Sequence, residues 1–181
     1  MLQRIIVYAI AALVAAAVAW WSIARRGSAL QVATRVALVL YVGWIIGATL
    51  VPVPLHGVAR LDSAATQSSS PNLVPLRTIR QTLALHAVWT RVRLLGGNVL
   101  VFVPFGLLLP LVFPRSATLR RVALGGLLFS LAIELGQLAV SLAVGSWYRM
   151  TDVDDVMLNV VGVLLGYALY RDLVVRPPHP N

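Results

Sequence analysis

The sequence contains no cysteine, no lysine and only six acidic residues among its 181. Without cysteine there is no disulfide framework, no thiol nucleophile and no cysteine-ligated metal. His56, His86 and His179 stand singly, with no metal-ligand spacing between them, so no metal centre is expected. No glycine-rich phosphate loop precedes a lysine, and neither a Gly-x-Ser-x-Gly elbow nor a His-Glu-x-x-His pair occurs. Familiar nucleophilic and metal-hydrolase chemistries are therefore unsupported, and no cofactor is expected.

Apolar residues fill the space that these absences leave. They make up 59% of the chain, and the mean hydropathy is +0.85, whereas soluble domains are roughly 45–50% apolar. Five stretches near the length of a membrane-crossing helix follow one another: Ile5–Ala24, Val36–Pro54, Leu94–Phe113, Val122–Val144 and Val156–Val175. They are continuously apolar rather than alternating, which favours helices over a barrel. The expected fold is all-α, a polytopic transmembrane bundle of about five spans. The first run continues through Trp20, Trp21 and Ile23 and reads as an uncleaved anchor rather than a signal peptide.

The net charge of +9 rests on fifteen arginines. They punctuate the ends of the apolar runs, as headgroup anchors do, so the expected partner is the lipid bilayer and no nucleic acid. Arg25, Arg26, Arg35, Arg115, Arg120, Arg121, Arg171 and Arg176 fall on one side, which the positive-inside rule assigns to the cytoplasm. The N-terminus, the long segment from Leu55 to Arg93 and the loop Gly145–Asp155 then face outward, with the C-terminus inside. The chain divides into two N-terminal helices (1–55), a polar and interfacial loop (56–93), three further helices (94–175) and a disordered, proline-rich tail (176–181). Within the loop, Asp62–Ser70 reads as a polar linker and Thr78–Trp89 as a short interfacial helix.

Polar residues inside the apolar runs carry the functional signal. A charge at mid-membrane costs at least ~2.5–3.5 kcal/mol, and Glu134 lies near the middle of the fourth run. At about 100° per residue, Ser130, Glu134, Gln137 and Ser141 share one helical face. Glu134 is either hydrogen-bonded glue between helices or a working carboxyl, one that exchanges a proton for example. Asp152, Asp155, Asn159, Gly162 and Gly166 form a second stripe, polar at one end and small at the other. The two glycines have the spacing for close helix approach, with the Glu134 run as the expected partner. Thr151-x-x-Asp154 matches a capping box, and Arg149 is placed to pair with Asp152 or Asp155 or to meet an external phosphate or carboxylate. In the third run, Pro104 predicts a kink before Gly106, and Asn98 offers a donor across helices.

Four blocks in order carry a resemblance: Pro71-Asn72-Leu73-Val74-Pro75; Asn98-x-x-x-Phe102-x-Pro104-x-Gly106; Ser130-x-x-x-Glu134-x-x-Gln137; and Arg149-x-x-Asp152-x-x-Asp155-x-x-x-Asn159-x-x-Gly162-x-x-x-Gly166. From Pro71 to about Tyr170 the chain resembles the VanZ-like family. Asp154 and Leu76 depart from the expected pattern, the latter standing where an aromatic is expected. The resemblance implies a small bacterial plasma-membrane protein of unsettled biochemistry, whose namesake is accessory to resistance against the glycopeptide teicoplanin. It agrees with a position of Arg77, Arg149, Asp152 and Asp155 at or near the outer surface.

Three functions compete. The first is a non-enzymatic envelope protein that changes the availability of glycopeptide or lipid-linked wall precursor at the outer face. The second is a membrane enzyme acting on a lipid-linked phosphate or glycan, with Glu134 or the aspartates as acid and base and Arg149 on phosphate. The third is a proton-coupled lipid or solute transporter using Glu134. Five spans without an internal repeat count against a standard transporter unless a second copy of the chain supplies the missing half, so a homo-oligomer remains open.

Overall fold

A computed structural model describes residues 2–51, 71–144 and 151–175. The polar linker, Arg149 and the tail lie outside the described residues. The elements are α1 (Leu2–Ala24), α2 (Ala29–Thr49), a short α3 (Arg77–Leu83), α4 (Val88–Val112), α5 (Leu119–Val144) and α6 (Val153–Tyr170), which ends in a π-helical turn, Arg171–Val175. Five of these helices contain spans of 21 to 25 residues, the final turn included, that are apolar enough to cross a bilayer. At 1.5 Å per residue they reach roughly 31–38 Å, enough for a hydrocarbon core of about 30 Å.

The second span begins earlier than its apolar run suggests. Ser28 and Gln31 form a capping box: the Ser28 hydroxyl accepts from the Gln31 amide at 3.3 Å, and the Gln31 side chain accepts from the Ser28 amide at 3.1 Å. The helix therefore starts at Ala29 and takes Arg35 inside it, where hydropathy alone places the start at Val36. Likewise α4 starts at Val88 and carries Arg91 and Arg93 in its first turns, so Trp89 belongs to that span. The interfacial helix is correspondingly shorter than Thr78–Trp89, ending at Leu83.

Side chains in the bundle sort by face. Ile45, Phe102, Phe105, Val122, Ile133, Val163 and Tyr167 form the core, with Phe129 stacked on Phe105 at 4.8 Å. Large apolar residues such as Leu13, Trp20, Leu100 and Leu142 point outward at 66–73% exposure. A water-soluble fold does not display so broad an apolar surface, and a lipid-facing one requires it.

Glycine sets the closest approach, which joins α4 to α6. A Cβ on Gly162 or Gly166 would overlap the backbone carbonyl of Val99 or Val103, and one on Gly106 would overlap that of Val163. The glycine stripe of the last span thus lies on α4 and not on the Glu134 helix. The reason is reciprocal fit, since α4 offers its own Gly106 to the carbonyl opposite. Helix α4 continues through Pro104, and the Tyr41 hydroxyl donates to the Val101 carbonyl at 2.8 Å in the turn that this proline loosens.

Candidate functional site

Helix α6 starts where a carboxylate can hold its first turn. Asp152 is the N-cap, its carboxylate accepting from the Asp154 amide at 2.9 Å. The cap expected at Thr151 therefore sits one residue on, and it is a single side-chain cap rather than a capping box. The Thr151 hydroxyl turns instead to the backbone carbonyl of Glu134 at 3.3 Å.

The three aspartates divide their work. Asp152, buried within the protein, also accepts from the Asn72 amide group at 2.8 Å and the Thr78 hydroxyl at 2.5 Å. Backbone bonds reinforce this link: Asn72 N–H to the Thr151 carbonyl at 2.9 Å, and Val153 N–H to the Asn72 carbonyl at 3.0 Å. Asp154, fully buried, accepts from the amides of Leu76 at 2.5 Å and Ile79 at 3.0 Å. It thereby caps α3 from another element, because α3 has no side-chain cap of its own. Asp155 accepts from the Asn98 side chain on α4.

Glu134 closes the cluster from α5. Its carboxylate accepts from the Asp152 amide at 3.0 Å, joining that helix to the start of α6. The whole polar stripe of α5 faces inward: Ser130, Glu134 and Ser141 are buried, and Gln137 donates to the Thr49 carbonyl at 3.4 Å. Ser130 in turn accepts from Asn159 at 2.8 Å. Among the described residues the Oδ1 of Asn159 is buried without a donor.

Glu134, Asp155, Asn98, Asn159 and Gln137 line one cleft, completed by Trp44 and Thr49 of α2. Its volume of about 140 Å³ has room for a few waters at ~30 Å³ each, against ~300 Å³ or more for a small-molecule pocket. Chemically the cleft offers two carboxyls that hold protons or accept hydrogen bonds, and the part of it formed by the described residues is smaller than a sugar or peptide needs. Asn72 and Asp152 belong to the adjoining clasp on Pro71–Leu83, while Arg77 is exposed and does not line the cleft. Arg149 lies outside the described residues.

Sequence reasoning missed Thr78, Thr49, Trp44 and the capping role of Asp154. Only the last had a legible signal: three acids at one helix start exceed what a single N-terminus needs. The first two spans carried no polar pattern that set Trp44 or Thr49 apart.

A family model described as VanZ/LLP1 matches residues 38–176, a range that takes in every residue of the cleft and the clasp. Protein VanZ of Enterococcus faecium is 41% identical over 73 residues, a stretch covering 40% of this chain and 41% of that relative. No solved structure matches the chain.

Proposed function

Because the chain belongs to the VanZ/LLP1 family, we propose that it acts in the bacterial cell envelope, lowering susceptibility to teicoplanin-type glycopeptides by limiting how much drug or wall precursor is available at the outer face of the plasma membrane. The observation that carries this reading is that the acid-lined cleft and the clasped segment Pro71–Leu83 share one end of the bundle, opposite Arg25, Arg26, Arg35, Arg115, Arg120 and Arg121. The arginine-rich end belongs in the cytoplasm by the positive-inside rule. The N-terminus and the cleft then face outward, and the C-terminus faces inward.

Size favours action at a surface over an enclosed reaction chamber. The cleft that the described residues form, about 140 Å³, is smaller than a glycan or glycopeptide needs. At the same end Leu73, Val74, Leu83 and Trp89 stand exposed on the clasped segment and the start of α4, apolar side chains suited to a lipid-bearing drug or precursor. Glu134 is joined to the clasp through the Asp152 amide, and Asp155 to α4 through Asn98.

The test is growth inhibition by teicoplanin in a susceptible Gram-positive host expressing wild type, Glu134→Gln or Asp155→Asn, with surface-bound fluorescent drug counted in the same cells. Wild type should protect and reduce bound drug, and both variants should lose the effect at equal expression. Equal growth and equal bound drug with and without the wild-type protein would overturn the reading.

A further inference from the structure

The opposite end of the bundle holds a second cavity, of about 320 Å³, between α1, α2 and α4. It is lined by Val18, Leu38, Val39, Val112 and Phe113 together with Trp21 and Arg35. That volume falls within the ~300–1,000 Å³ of small-molecule sites. Walls this apolar would leave a hydrated guanidinium little to bind, yet Arg35 is half-buried in the second turn of α2.

What holds Arg35 there is neutral. One guanidinium nitrogen donates to the hydroxyl of the fully buried Ser22 at 3.0 Å, and the group stands 5.5 Å from the Trp21 ring centre. Arg25 stands over the same ring at 4.7 Å. A guanidinium carries five N–H donors, and among the described residues a single hydroxyl and a ring face are what Arg35 meets. Two guanidinium groups on one indole also repel each other unless an anion is close. Neither contact carries a negative charge.

We infer that this groove binds an anionic phospholipid, its phosphate on Arg35 and Arg25 beside Trp21 and one acyl chain along Val18, Leu38, Val39, Val112 and Phe113. Guanidinium and phosphate oxygens match in a bidentate geometry that a lysine ammonium does not reproduce. Basic recesses between membrane helices take acidic headgroups for this reason. The inference does not depend on the role proposed for the acid-lined cleft, which lies at the other end of the bundle.

The full chain, purified in detergent, is incubated with phosphatidylglycerol or phosphatidylcholine and examined by native mass spectrometry for retained lipid. Wild type should retain phosphatidylglycerol preferentially, and Arg35→Gln should weaken it about fivefold, the worth of one arginine beside an anionic lipid. Arg121→Gln removes the same charge at the same end outside the groove and should retain lipid like wild type. Val39→Trp fills the groove without touching charge and should weaken retention as well, which separates the site from a general basic surface even if Arg35→Gln folds poorly. Equal retention of the two lipids by wild type, equal loss in Arg121→Gln, or full retention by Val39→Trp would overturn the inference.

Discussion

Leu76 and Asp154 show how one residue offsets another. Leu76 is held at a φ of 65°, in the left-handed region, at a cost of about 1–2 kcal/mol for a residue with a Cβ. Its amide is thereby aimed at the buried Asp154 carboxylate, which also takes the Ile79 amide. Asp154→Ala strips two amides of their acceptor at about 1–3 kcal/mol each. It should lower the thermal midpoint and open Pro71–Leu83 to proteolysis, both read on the purified protein. Leu76→Gly relieves the strain but adds chain entropy of roughly 0.5–1 kcal/mol, so it should leave the midpoint unchanged or slightly raised. The same pair marks a limit of the sequence. Asp154 and Leu76 look like isolated departures from a pattern when read along the chain, and only the fold brings them together to explain each other.

Among helices, the contact that decides the packing is backbone on backbone. Gly166→Ala drives a methyl group into the Val103 carbonyl, and overpacking of this kind costs about 1–3 kcal/mol. Gly97 of α4, by contrast, has nothing within 4 Å of the place a methyl group would take; there alanine gains up to ~1 kcal/mol of helix propensity. Gly166→Ala should therefore lower the midpoint of thermal unfolding in detergent, and Gly97→Ala should raise it slightly. Glycine spacing in the last span was legible as a packing stripe, but spacing does not name the partner. Hydropathy likewise gave all five spans while placing the start of α2 seven residues late, because Arg35 read as an end when it is an interior residue held by Ser22. The Ser28-x-x-Gln31 capping box was the better guide. The inward stripe from Ser130 to Ser141 was legible for a stronger reason: lipid offers polar groups no partners, so they must turn toward other helices.

Across the whole molecule, alternating spans collect charge at two ends. Arg25, Arg26, Arg35, Arg115, Arg120, Arg121 and Arg171 gather at one with Asp172, while Glu134, Asp152, Asp154 and Asp155 stand at the other with Arg4, Arg77, Arg80, Arg91 and Arg93. Arginine position governs insertion and acids contribute little, so orientation rests on the first group lying in the short connections and the helix ends beside them. A chain without cysteine allows a clean test of this. Leu73, 74% exposed on the clasped segment, and Thr118, exposed before α5, lie at opposite ends. In intact cells a membrane-impermeant maleimide should label Leu73→Cys at once and Thr118→Cys only after lysis. The reverse pattern would turn the acid-lined cleft toward the cytoplasm and remove the outer-face mechanism proposed above. It would leave the five-span fold and the family intact, and the lipid groove would then have to draw its acidic headgroups from the outer leaflet.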